Sequence, residues 1–163
     1  MSELKSPEAF LGYEIGQQFT RHADVVNYFE HVAQFSPMVS FSTYGKTNER
    51  RPLTYAIVTS ENNLSNIEAI RTNHLKNTGI LSGDSTTDKA IVWLSYNVHG
   101  NEPSSSEAAM LTAYYYVAGQ SAEVRAAIKD AVLIVDPSFN PDGRDRHTTW
   151  ANSYLGDPMV SDP

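Results

Sequence analysis

The sequence predicts an α/β domain: a three-layer sandwich with helices on both faces of a mixed, largely parallel central sheet. Two observations carry this. The runs Ala90–Tyr96 and Ala131–Asp136 are short and almost continuously apolar, the pattern of strands covered on both faces. Between them lie two helical stretches, Ser104–Val117 and Ala122–Asp130. A strand–helix–helix–strand unit of that kind brings its strands together in parallel through a right-handed crossover.

The earlier elements follow from periodicity. Asp24–Phe35 sets Val25, Tyr28, Phe29 and Val32 on one helical stripe, ended by Ser36-Pro37, because proline disfavours helical backbone in the residue before it. Met38–Tyr44 and Leu53–Thr59 are rich in β-branched and aromatic residues, and the polar segment between them predicts a strand pair joined by a loop. Glu61–Asn77 follows Ser60 and repeats Leu64, Ile67, Ile70 and Leu75 at helical spacing before Gly79, which predicts one continuous helix. Residues 79–88 read as a polar loop. After Pro137 the composition turns to Asn, Asp, Gly, Arg and Ser, and the tail from about 147 to 163 is expected to be irregular.

Composition excludes several classes. With 163 residues, 40% hydrophobic and 19% charged, the chain can bury a core and is neither disordered, collagen-like nor coiled-coil. A net charge of -7 opposes nonspecific binding to nucleic acid or anionic lipid, so neither is expected as a partner. Cysteine is absent, which removes disulfides, thiolate nucleophiles and Cys-ligated zinc; a metal would have to use His, Asp or Glu. No apolar run approaches the roughly 20 residues of a membrane helix, and Met1–Phe10 lacks a signal-peptide pattern.

The chemistry concentrates where the strand Ala90–Tyr96 runs into Asn97-Val98-His99-Gly100-Asn101-Glu102-Pro103 and then a helix. Strand ends of open α/β sheets are where ligands bind. Gly100 is read as permitting a sharp turn behind His99, Pro103 suits a helix start, and Ser104 with Glu107 has capping-box spacing. An imidazole and a carboxylate are two good zinc ligands, and catalytic zinc commonly takes three plus a water. On spacing alone, His-x-x-Glu competes with a hydrogen-bonded strand-end histidine.

Other groups have plainer readings. His22, His31, His74 and His147 are each candidates for a third ligand but are expected as surface histidines. Asp136 and Asp142 are candidate metal carboxylates, yet Asn140-Pro141-Asp142-Gly143 reads first as a strong turn former. Gly45-Lys46-Thr47 is not a phosphate loop, because Ser40 stands where the first glycine is required. Tyr114, Tyr115 and Tyr116 point to different helix faces and are read as packing.

Three segments in order resemble the zinc carboxypeptidase family. These are Tyr44–Leu53, with Arg50 where glycine is common, then Val98–Glu102 before a small-residue helix, and Asn140–Gly143 after the next strand. The resemblance implies the phosphorylase/hydrolase-like carboxypeptidase fold, incomplete in this chain, with residues 1–163 forming the N-terminal part of a single catalytic domain. It implies Zn2+ held by His99, Glu102 and a histidine further downstream, with a general-base glutamate later still. Arg144 or Arg146 would polarise the substrate carbonyl. The implied activity is hydrolysis at peptide or protein C-termini. A zinc deacylase of small N-acyl amino acids and a non-catalytic binding module of the same fold are the alternatives. A periplasmic or secreted location is implied, with the cytoplasm as alternative. Half of a sheet would leave one edge and apolar surface open, so self-association and weak zinc binding are expected of this chain by itself.

Overall fold

The computed structural model describes residues 3–86 and 89–154. Its elements in order are α1 (Pro7–Leu11), α2 (His22–Phe35), β1 (Val39–Lys46), β2 (Pro52–Val58), α3 (Glu61–Ser65), α4 (Ile67–Asn77), β3 (Ala90–Ser95), α5 (Ser104–Ala118), α6 (Ala122–Asp130), β4 (Ala131–Asp136) and α7 (Pro141–Ser153). The four strands form one mixed sheet in the order β1-β2-β4-β3. β3 and β4 run parallel, in register from Ala90 opposite Ala131 to Ser95 opposite Asp136. The β1–β2 and β2–β4 pairs are antiparallel.

The core lies between one sheet face and the helices on it. α2 contributes Val25, Tyr28, Phe29 and Val32, α5 contributes Ala109, Met110, Ala113 and Val117, and the sheet answers with Ala56, Val58, Leu133 and Val135. Burying a large apolar side chain of this kind contributes about 1.5–3 kcal/mol relative to exposure. The opposite face carries Tyr55, Ile57, Ile91, Trp93 and Ile134, which meet Ile67 and Arg71 of α4 across an open groove.

β4 is the central strand that its sequence predicts. β3, expected to be covered on both faces, is instead at the edge, with Val92 38% and Trp93 61% exposed. An apolar run records a strand's own chemistry and not its place in the strand order. The open edge and the exposed apolar side chains expected of this chain both occur here.

Three further elements differ from expectation. The helix read as Glu61–Asn77 breaks at Asn66 (φ -111, ψ 18), whose Nδ2 donates to Asn62 O at 2.8 Å; asparagine competes with helix by bonding nearby backbone. α1, which went unread, starts with Ser6 capping Ala9 N and Pro7 at the first position, and ends at Gly12 with φ 81, a conformation glycine adopts without penalty. The tail read as irregular from 147 is helical as far as Ser153, and residues 155–163 lie outside the described part. Asn140-Pro141-Asp142-Gly143 is accordingly a helix start and not a free turn: Asn140 Oδ1 accepts from Gly143 N at 3.0 Å, and Pro141 follows it. Hydropathy missed α7 because its buried stripe is Pro141, Arg144 and Thr148.

His22, expected at the surface, is 2% exposed. Its ring Nε2 lies 2.9 Å from Pro52 O, and Nδ1 has no hydrogen-bond partner among the described residues. Burial holds its pKa below the ordinary 6.5. The unfolded chain therefore binds a proton more readily, so the contribution of neutral His22 to stability is complete above about pH 6.5 and is lost as pH falls. The melting temperature is expected to drop further between pH 7.5 and 5.5 in the wild type than in His22→Gln. Equal drops would refute this.

Candidate functional site

The strand-end loop is built by hydrogen bonds from both neighbouring strands and helices. Tyr96 N donates to Asp136 O at 2.9 Å, extending the β3–β4 ladder, and Phe139 N and Asn140 N donate back to Tyr96 O and Asn97 O at 2.9 and 3.1 Å. Asn97 is 2% exposed and has φ 55, left-handed backbone that asparagine tolerates better than most residues. Its Nδ2 donates to His99 O at 2.8 Å and to Glu102 O at 3.2 Å. Ser106 Oγ donates to Pro137 O at 2.7 Å and ties the first turn of α5 to the end of β4.

On this frame His99 Nδ1 lies 3.3 Å from Glu102 Oε2, with the side chains 69% and 58% exposed. Two ligands on a tetrahedral zinc with bonds near 2.1 Å are about 3.4 Å apart, so the pair fits one shared cation. Among the described residues no group of three or more His, Asp or Glu side chains could hold a metal. His99 and Glu102 are thus side by side, and none of His22, His31, His74 and His147 completes such a group with them.

Gly100 lies in the turn read for it, closed by Glu102 N donating to His99 O at 3.1 Å, but glycine is needed there for another reason. Its φ is not positive; instead, a Cβ there would fall on the backbone of Gly143. Two glycines thus let the ligand loop touch the first turn of α7. The predicted capping box is also absent. Pro103, whose side chain has no acceptor, is the N-cap of α5, and Glu107 turns inward to Arg144.

Glu107 and Arg144 form a buried pair. Arg144 is 0% exposed; its Nη2 donates to both Glu107 oxygens at 2.8 and 3.0 Å, Nε to Thr20 O at 2.8 Å and Nη1 to Pro103 O at 2.8 Å. Thr20 N donates to Glu107 Oε1 at 2.7 Å. Arg144, a candidate for the substrate carbonyl, is thus withdrawn from solvent and engaged in holding α5, α7 and the segment before α2 together. Arg146 is 79% exposed, with a 3.5 Å contact to Glu49, and shares an open hollow with Gly100, Asn101, Gly143, His147 and Trp150.

The β1–β2 loop secures α7 from its other side. Arg51 Nε donates to Asp145 Oδ2 at 2.7 Å and Nη1 to Asp142 Oδ1 at 2.8 Å, while Thr47 Oγ1 donates to Asp142 Oδ1 at 2.7 Å. Burial works to raise the pKa of Asp142, but the bonds from Thr47 and Arg51 outweigh it and hold it low. Asp142 is therefore an ion-pair partner here. Arg50, at the family's glycine position, has φ 66, so the turn keeps the geometry that favours glycine. A bulge between Thr43 and Gly45 directs Tyr44 to Asp136, its hydroxyl donating to Oδ2 at 2.6 Å. Asp136 is fully buried, and burial raises its pKa.

Asn97, the Arg51 network and the Tyr44–Asp136 bond went unread in the sequence. Only Asn97 carried a signal, as a residue tolerant of left-handed backbone directly before the ligand loop. An apolar groove of about 380 Å³, between α4 and the outer sheet face, is lined by Tyr44, Ile57, Trp93 and Ile134 among others. It does not include His99 or Glu102.

A family model described as zinc carboxypeptidase matches residues 25–158. No curated protein matches the chain. Among solved structures, thrombin activatable fibrinolysis inhibitor is 18% identical with a TM-score of 0.59, covering 89% of this chain and 30% of its own. Carboxypeptidase A from Helicoverpa armigera is 18% identical with a TM-score of 0.59, covering 81% of this chain and 28% of its own. Bovine thrombin-activatable fibrinolysis inhibitor, in complex with tick carboxypeptidase inhibitor, is 18% identical with a TM-score of 0.54, covering 88% and 36%. These likenesses show the carboxypeptidase-like fold, and the chain spans about a third of the length of each structure.

Proposed function

The chain belongs to the zinc carboxypeptidase family, and we propose that residues 1–163 are the N-terminal part of one metallocarboxypeptidase catalytic domain that hydrolyses C-terminal peptide bonds. The observation that carries this reading is the pairing of His99 and Glu102 at 3.3 Å on an exposed loop at the C-terminal end of β3, where open sheets bind ligands.

In this reading the His99 imidazole and the Glu102 carboxylate would hold Zn2+ jointly with a ligand from outside the described residues. Bound zinc supplies carbonyl polarisation and an activated water. Asn97 and the Gly100–Gly143 contact keep the two donors at the mouth of α5. Arg146, exposed beside that loop, supplies a charge-assisted hydrogen bond to a substrate carbonyl or carboxylate oxygen. Arg144 has no such part, because Glu107 occupies it.

The test uses the full-length gene product, assayed against peptides for release of the C-terminal residue and against small N-acyl amino acids, with zinc affinity measured in parallel. The expected result is peptide hydrolysis, with His99→Ala losing tight zinc binding and activity together. Unchanged zinc affinity in His99→Ala would reject the metal reading. Hydrolysis of N-acyl amino acids without peptides would move the protein to the deacylase alternative.

A further inference from the structure

Asn97 combines three features that a loop residue needs for no single reason. It is buried, its backbone is left-handed at φ 55, and both hydrogen bonds from its amide nitrogen go to the carbonyls of His99 and Glu102, at 2.8 and 3.2 Å. Left-handed backbone alone would be met at least cost by glycine. What asparagine adds is the amide.

The amide is itself held in place. Ser138 Oγ donates to Asn97 Oδ1 at 3.4 Å, Ser138 N donates to Asp136 Oδ1 at 3.3 Å, and Tyr44 Oη donates to Asp136 Oδ2 at 2.6 Å. A chain of hydrogen bonds thus runs from the β1 bulge, across the end of β4, to the backbone of both ligand residues.

We propose that Asn97 is a positioning residue whose side-chain amide locks the His99–Glu102 loop in the geometry that receives a divalent cation. The proposal rests on the metal-ligand reading of that pair. Outer residues that orient metal ligands typically account for about 10–100-fold in metal affinity. Here the action is on the ligands' backbone, across four residues, and not on the imidazole or carboxylate.

The variants are Asn97→Gly, which keeps the left-handed backbone without the amide, and Asn97→Asp, which keeps the shape but presents a second oxygen to the carbonyls. Both are made in the full-length gene product beside His99→Ala. Three quantities are read: melting temperature, amide hydrogen exchange of residues 98–102 without metal, and Zn2+ affinity by chelator competition. The expected result for Asn97→Gly is a melting temperature lowered only by the loss of two neutral hydrogen bonds, faster exchange confined to 98–102, and zinc affinity about 10–100-fold weaker, with Asn97→Asp at least as weak. Wild-type exchange and wild-type zinc affinity in Asn97→Gly would overturn the proposal, as would weaker zinc binding matched by a general loss of stability. If the wild type binds zinc no better than His99→Ala, the metal reading falls. Exchange then decides the positioning role: faster exchange of 98–102 upholds it and unchanged exchange removes it.

Discussion

Arg144→Ala is expected to cost about 3–5 kcal/mol of stability, read as a lowered denaturation midpoint at unchanged slope. The guanidinium is fully buried, and burial lowers its pKa against the pull of Glu107. Removing it leaves the Glu107 carboxylate in the interior with only Thr20 N as a remaining partner. It also frees Thr20 O and Pro103 O, which lose their donors. An uncompensated buried charge is the costly outcome, not the loss of the attraction as such. The double replacement Arg144→Met with Glu107→Leu is accordingly expected to be more stable than Arg144→Ala, since it removes both charges and keeps the volume. If Arg144→Ala costs less than about 1 kcal/mol, the pair has the weight of a surface ion pair and the assignment fails.

Arg144 also shows what kind of information the sequence held. The juxtaposition of His99 and Glu102 was legible because its signal is local: a strand, a polar loop and a helix start follow one another within 95–104. The two arginines after Gly143 could not be separated in the same way. Which one faces solvent depends on how α7 is rotated, and that is fixed by Glu107 in α5 and by Arg51 in the β1–β2 loop, partners 37 and about 90 residues away. The same limit applies to the fold. Central β4 and edge β3 have equally apolar sequences, and only the strand order distinguishes them. α7 was read as turn and tail because its inward stripe is polar and its satisfaction comes from charges elsewhere in the chain. Gly100 stands in the turn its sequence predicts, but glycine is required there for proximity to Gly143 and not for conformational freedom.

Proximity sets the second large effect, Gly100→Ala. The added methyl would occupy the backbone of Gly143, so either the ligand loop or α7 must move. α7 is fixed by the buried Arg144–Glu107 pair and by Arg51 on Asp142 and Asp145. The loop is held by neutral hydrogen bonds, from Asn97 and Asn140 among others, each worth about 1 kcal/mol net. The loop is therefore the side that yields. Gly100→Ala is expected to lose about 2–3 kcal/mol of stability, at the upper end of overpacking costs, and to weaken zinc binding in the full-length gene product by at least about tenfold. Gly143→Ala is the comparison: the nearest atoms its Cβ would meet are those of the Asn140 side chain, at 2.8–3.0 Å, which can turn aside at the expense of a helix cap worth about 1 kcal/mol and of its bond to Val98 O. Denaturation and zinc competition on both variants separate the two cases. A Gly100→Ala protein no less stable than Gly143→Ala, with wild-type zinc affinity, would mean that the loop and helix are not in the contact described.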